Sequence, residues 1–181
     1  HPNAMQFEAF DNEDKLLDSR KYYSIGGGKI IRDDSNEGLE INEVYPHHSL
    51  TEILQYLDEN GLTFWEYVQE FEHAEIWDYL AEVLAVMKKS VEDGLNEEGV
   101  LPGGLRLRRK AMSYYTKARS YKPSLKGRCL VQSYALAVSE QNAAGGLIVT
   151  APTCGSCGVV PAVLYHLSKE HEFTDKQIIR S

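Results

Sequence analysis

From residue 64 onward, apolar side chains return at three- and four-residue steps. They are Phe64, Val68 and Phe71, then Ile76 or Trp77, Leu80, Leu84, Met87 and Val91. A helix gathers that spacing onto one face, so this part of the chain is expected to fold by packing helix on helix. Thr63 opens the stretch, with Glu66 three residues on as its capping-box partner, and Gly94 is the expected end. The result, about 30 residues, is long for a globular helix, and His73 is the candidate break. Its aromatic side chains are read as core-facing rather than ligand-binding.

Similar signals extend the helical reading in both directions. Ser49 or Thr51 caps a helix running to about Asn60, and Gly61 supplies a left-handed stop. Leu101-Pro102-Gly103-Gly104-Leu105 is a turn. Residues 106 to 120 and 124 to 140 read as two helices separated by Lys122-Pro123. Gly145-Gly146 interrupts, Leu147-Ile148-Val149 is a short apolar run, and another helix starts between Gly155 and Gly158. Thr174 and Gln177, with Asp175 in the first turn, mark one more helix start.

The first 32 residues read differently. Phe7 and Phe10 face Leu16 and Leu17 across the turn Asp11-Asn12-Glu13-Asp14. Tyr22-Tyr23-Ser24-Ile25 and Ile30-Ile31 flank Gly26-Gly27-Gly28. β-branched and aromatic runs around turn residues predict strands, and the glycines predict a tight hairpin rather than a phosphate loop, because no helix follows them. Residues 33 to 46 are polar and acidic and read as a linker. The fold class is therefore mostly α, preceded by a short β segment.

Composition narrows the function. The 181 residues carry 19 Lys plus Arg against 27 Asp plus Glu, a net charge of -8, which disfavours phosphate-backbone binding; no nucleic-acid partner is expected. No apolar run reaches the roughly 18 to 20 residues that span a bilayer, so no membrane partner is expected either. The N-terminus lacks a signal-peptide pattern, and a cytoplasmic location is expected. The first Met is residue 5, and the last helix signal lies close to Ser181; the chain reads as a stretch of a larger protein.

Several residues are candidates for chemistry. Arg106, Arg108, Arg109 and Lys110 form a basic cluster at a predicted helix start, where cations oppose the helix dipole. A carboxylate from elsewhere in the protein would offset that cost. His47-His48 has no third metal ligand at a convincing spacing and reads as a surface loop. The run from Asn142-Ala143-Ala144-Gly145-Gly146 to Ala151-Pro152-Thr153-Cys154-Gly155-Ser156-Cys157-Gly158-Val159-Val160-Pro161 is the most informative. Small residues allow close backbone or cofactor approach, and the run feeds a helix N-terminus, which favours anions and thiolates. Cys154 and Cys157 alone fit a thioredoxin-like dithiol, half a zinc site or part of an iron–sulfur site. Cys129, in an amphipathic helix, reads as a small buried hydrophobe.

Taken in order, these segments resemble the bacterial iron–sulfur L-serine dehydratases, or L-serine ammonia-lyases. The matching stretches are His1-Pro2-Asn3-Ala4-Met5, Tyr22-Tyr23-Ser24-Ile25-Gly26-Gly27-Gly28 and Leu101-Pro102-Gly103-Gly104-Leu105. They continue with Tyr134-Ala135-Leu136-Ala137-Val138 through Gly146, and Ala151-Pro152-Thr153 through Leu164. The resemblance implies that residues 1–45 are the C-terminal end of an α/β β-domain plus linker, and 46–181 the N-terminal part of a helical catalytic α-domain. The family's Ser-His-Thr motif would lie outside the chain.

The resemblance also implies a 4Fe–4S cluster on cysteine ligands. Cys157 matches the cysteine of the family's Asn-Gly-x-Cys-Gly motif. Cys154 stands where many members have Asn, which leaves open an accessory thiol, a polar substitute or a competing ligand. The remaining ligands are expected downstream, so this stretch alone should be inactive. The implied reaction is water elimination from L-serine to give pyruvate and ammonia, a step of serine catabolism that supplies gluconeogenesis, without pyridoxal phosphate. Asn142, Gly145 and Gly146 are the implied substrate-binding residues, through backbone or amide donors. The expected partners are L-serine, the rest of the same polypeptide or a paired subunit, and further copies in a homo-oligomer.

Overall fold

A computed structural model describes residues 3–26, 29–33, 43–150 and 156–180. The chain divides into two units, His1–Val44 and Tyr45–Ser181.

The first unit is a three-stranded antiparallel sheet, order β1-β2-β3, of β1 (Ala4–Phe10), β2 (Leu16–Gly26) and β3 (Lys29–Arg32). The Asp11–Asp14 turn forms as predicted: Asp11 Oδ1 accepts from the backbone N–H groups of Glu13 and Lys15, both at 2.9 Å. Register runs Phe7↔Arg20 and Met5↔Tyr22, then shifts between Ala9 and Phe10, leaving Leu17 as the extra residue of a bulge. Gly26 pairs with Lys29, so the glycine segment closes a hairpin; Gly27 and Gly28 themselves, like most of the predicted linker, lie outside the described residues.

The second unit is helical: α1 (Leu50–Asn60), α2 (Phe64–Phe71), α3 (Ile76–Asn96), α4 (Ala111–Arg119), α5 (Pro123–Ala144), α6 (Ser156–Glu170) and α7 (Asp175–Ile179). The two predicted capping boxes close, at Thr63/Glu66 and Thr174/Gln177, and Ser49, one of the two candidate caps of α1, forms a third with Glu52. Each needs only two side chains three residues apart, so local chemistry decides it. Gly61 ends α1 at φ +65. The long helix breaks between α2 and α3, where Glu72 is extended, and Trp65 and Trp77 meet edge-on across the gap with centroids 6.4 Å apart. Arg180 stacks its guanidinium 4.3 Å from the Trp65 ring centre, tying the α7 end to this corner.

Three expectations change. Gly94 does not end α3, which runs to Asn96; it sits at the crossing with α5, where a Cβ would lie 2.6 Å from the Ala137 carbonyl carbon. Helix continuity there is set by close backbone approach, not by the glycine's own weak propensity. Residues 106–110 are not helical: Val100 bridges Arg108, and the Leu101 N–H bonds the Leu107 carbonyl at 2.7 Å, making a short hairpin before α4. His47 is not a plain surface loop residue: its Nδ1 lies 2.8 Å from the Tyr67 hydroxyl within a ring cluster that includes Tyr45, Tyr56 and Phe71.

α5 is the central helix, packed against α3, α4 and α6. The core joins Val91, Leu95, Ala118, Leu130, Tyr134, Ala137, Val138, Ala162 and Tyr165, with Cys129 partly buried at its edge. Burying one such leucine contributes about 1.5–3 kcal/mol, so α5 carries much of the unit's stability. Among the described residues no helix is long and apolar enough to cross a membrane.

Candidate functional site

The site forms where the end of α5 meets the start of α6. Gly158 makes this possible. A Cβ at that position would stand 2.8 Å from the Ala135 carbonyl oxygen and 2.9 Å from Ser139 Oγ, closer than a side chain tolerates. The first turn of α6 is therefore pressed onto the 135–139 turn of α5. Ser139 already directs its hydroxyl back to the Ala135 carbonyl at 2.8 Å, which keeps it inside the crossing.

Cys157 lies in that first turn and is 1% exposed. The N-terminal end of α6 brings backbone N–H groups and partial positive charge to it. Pro161, also fully buried, has no N–H to offer the carbonyl four residues earlier, which is that of Cys157. Small residues and proline thus shape the backbone around one sulfur. Cys154, Pro152 and Thr153 lie outside the described residues. Among the described residues no group of three or more His, Cys, Asp or Glu side chains could close around a metal ion. Among the described residues the stretch offers Cys157 as one buried sulfur and no complete set of metal ligands.

α5 ends five residues past Ser139, about 7.5 Å further along its axis. Gly145 takes φ +80, the Gly145 N–H bonds the Asn142 carbonyl at 3.2 Å, and the Gly146 N–H bonds the Gln141 carbonyl at 2.8 Å. That pattern is a glycine-terminated cap. The structure therefore brings Asn142, Gly145 and Gly146 together, all exposed, at the same end of α5 that approaches α6. It also engages both glycine N–H groups in the cap; the Asn142 carboxamide is the polar group left pointing to solvent.

Two buried polar residues of this helix end escaped the sequence reading. Glu140, 5% exposed, turns toward α4, and its Oε1 accepts the N–H groups of Lys110 at 2.6 Å and Ala111 at 3.2 Å. This remote carboxylate meets the backbone at the end of the basic cluster, not one of its cationic side chains. A second one is Glu97, whose Oε2 meets Arg109 Nη2 at 2.6 Å. Gln141, also 5% exposed, packs its side chain over Gly146. The available signal was spacing: Leu130, Tyr134, Ala137 or Val138, and Gln141 continue the core stripe of α5 at helical steps.

The helical unit thus presents one buried cysteine at the start of α6 and a glycine-capped end of α5. Comparison with known proteins identifies it further. The profile of the family described as Serine dehydratase alpha chain matches residues 14–181, and the chain belongs to that family. It is 40% identical over 176 residues to L-serine dehydratase 1 of Escherichia coli K12, covering 91% of this chain and 38% of that protein. Against L-serine dehydratase of Streptomyces coelicolor it is 37% identical over 177 residues, covering 92% and 39%. Against the Helicobacter pylori enzyme it is 31% identical over 191 residues, covering 96% and 41%. The chain thus spans about two-fifths of the length of these curated relatives.

Proposed function

We propose that this chain works within an iron–sulfur L-serine ammonia-lyase, with residues 1–45 closing its β-domain and linker and 46–181 opening its catalytic helical domain. The reaction is β-elimination of water from L-serine; the enamine product tautomerises and hydrolyses to pyruvate and ammonia. The observation that carries the reading is Cys157: a buried thiol in the first turn of α6, fixed against α5 by Gly158. Cys157 is the residue of the described chain that would hold a 4Fe–4S cluster. When bound, the cluster supplies Lewis acidity toward the substrate hydroxyl.

The protein's own contribution begins with position. The close α5–α6 approach at Gly158 fixes the backbone next to Cys157, whose side chain is 1% exposed. The substrate is placed at the end of α5, where the side chain of Asn142 binds a polar group of L-serine. Gly145 and Gly146 keep that approach open by carrying no Cβ.

The test is pyruvate release from L-serine by full-length enzyme prepared without oxygen, against the same protein stripped of iron. Activity that rises and falls with iron content is expected. Full activity in protein shown to be free of iron contradicts the reading.

A further inference from the structure

α6 is apolar on two faces. Its inner face, formed by Cys157, Pro161, Ala162 and Tyr165, is buried, and the helix packs against α5, α3 and α7. A second stripe, Val160, Val163, Leu164 and Leu167, follows the i, i+3, i+4, i+7 spacing of one helix face, with Val159 beside it. The three valines are between 38% and 55% exposed, and Leu164 and Leu167 are half-buried.

A surface helix turns charged or polar side chains to water, and a helix that is apolar all round is one that is covered all round. α3 shows the ordinary pattern: it exposes Glu82, Lys89 and Glu92 while burying Leu84, Met87 and Val91. α6 does not. Residues 156–168 contain no Asp, Glu, Lys or Arg, although such residues make up 25% of the chain. Its composition is that of a core helix, and its second face is bare.

Two facts choose what covers it. The strip is one helix wide and five side chains long, far short of the roughly 800 Å² per partner that a stable interface between copies buries. One neighbouring helix, packed about 8–10 Å away, covers such a strip. The chain also spans only about two-fifths of the length of its curated relatives, so most of a protein of that size is available to supply the helix.

We propose that the Val159–Val160–Val163 face of α6 docks an apolar helix contributed by the part of the same polypeptide that lies outside this chain. This rests on reading the chain as part of a longer lyase. The docked helix would complete the second wall around the helix that carries Cys157.

The test places a diazirine-bearing leucine analogue at Val163 of the full-length protein, irradiates it and maps the cross-linked peptides by mass spectrometry. Iron content and pyruvate release from L-serine are measured on the same preparation. The link is expected within one subunit, to a segment outside the stretch of this chain. A link to another subunit, a link confined to this chain, or capture of water alone overturns the proposal. V163D gives a second readout: a carboxylate forced into a covered apolar face should lower the full-length protein's unfolding midpoint by about 4 °C or more, and a parental midpoint overturns the proposal. Should V163D not fold, V163T keeps the shape, adds one hydroxyl and decides in the same way. The lyase reading fails separately: an iron-free preparation with full activity that still forms the expected link upholds the docking and sinks the iron–sulfur chemistry.

Discussion

The sheet and the helical unit treat apolar side chains in opposite ways. Every residue of β1 is exposed, Phe7 at 56%, and its best contact is an edge-on meeting with Tyr22 at 5.8 Å. α5, by contrast, buries Leu130, Tyr134, Ala137 and Val138 between three other helices. The three strands pair by hydrogen bonds while the side chains of β1 stay exposed, so within this unit the pattern yields pairing without a core. Helices packed from several sides convert the same kind of pattern into fixed distances. The candidate site lies in the second kind of region, where Cys157 is buried at the start of α6.

The contrast can be broken first at Gly94. G94V places a branched side chain where backbone of α5 already stands, and should cost about 3 kcal/mol or more by denaturant unfolding. A near-neutral result would mean that α3 and α5 are not in contact as described. Next, L130A should cost about 2–5 kcal/mol, against at most about 1.5 kcal/mol for F7A in the sheet. Equal costs in the two variants would erase the distinction between the regions.

A pH titration sharpens it further. Burial, with smaller help from the nearby Tyr115, pushes the Tyr134 hydroxyl up to about 12; burial and the hydrogen bond to Glu72 do the same for Tyr45. Both groups sit above their usual value near 10, so folding favours their neutral forms. The stability this contributes is complete below about pH 10 and is lost as pH rises through about 12. Y134F should flatten the loss of helical-unit stability across that window; an unchanged titration counts against the burial. The smallest effect belongs to the exposed Lys89–Asp93 pair at 2.9 Å: D93A should change stability by less than about 0.5 kcal/mol. A larger loss would show that the outer face of α3 is covered.

What the residues disclosed in advance follows the range of the forces involved. Caps such as Thr63/Glu66 and Thr174/Gln177, and the Gly61 stop, were legible because they close within a few residues. The start of α6 at Ser156 was legible because Gly155, Ser156 and Gly158 cluster just before an apolar helical run. Residues 106–110 misled, since their form is settled by Val100 and by Glu140, thirty residues from Lys110 along the chain. Gly94 misled for the same reason: its neighbour is Ala137. Gln141 looked like one more polar helix residue, because burial of its amide depends on the cap folding back over it. Cys154 bears on the same site but lies outside the described residues.

The central claim concerns one sulfur, and replacing it tests the claim most directly. Full-length enzyme carrying C157S, purified without oxygen, should be assayed for iron, acid-labile sulfide and pyruvate release from L-serine. The account predicts a folded protein that has lost bound iron and its turnover together. Parental iron content with parental turnover would contradict it.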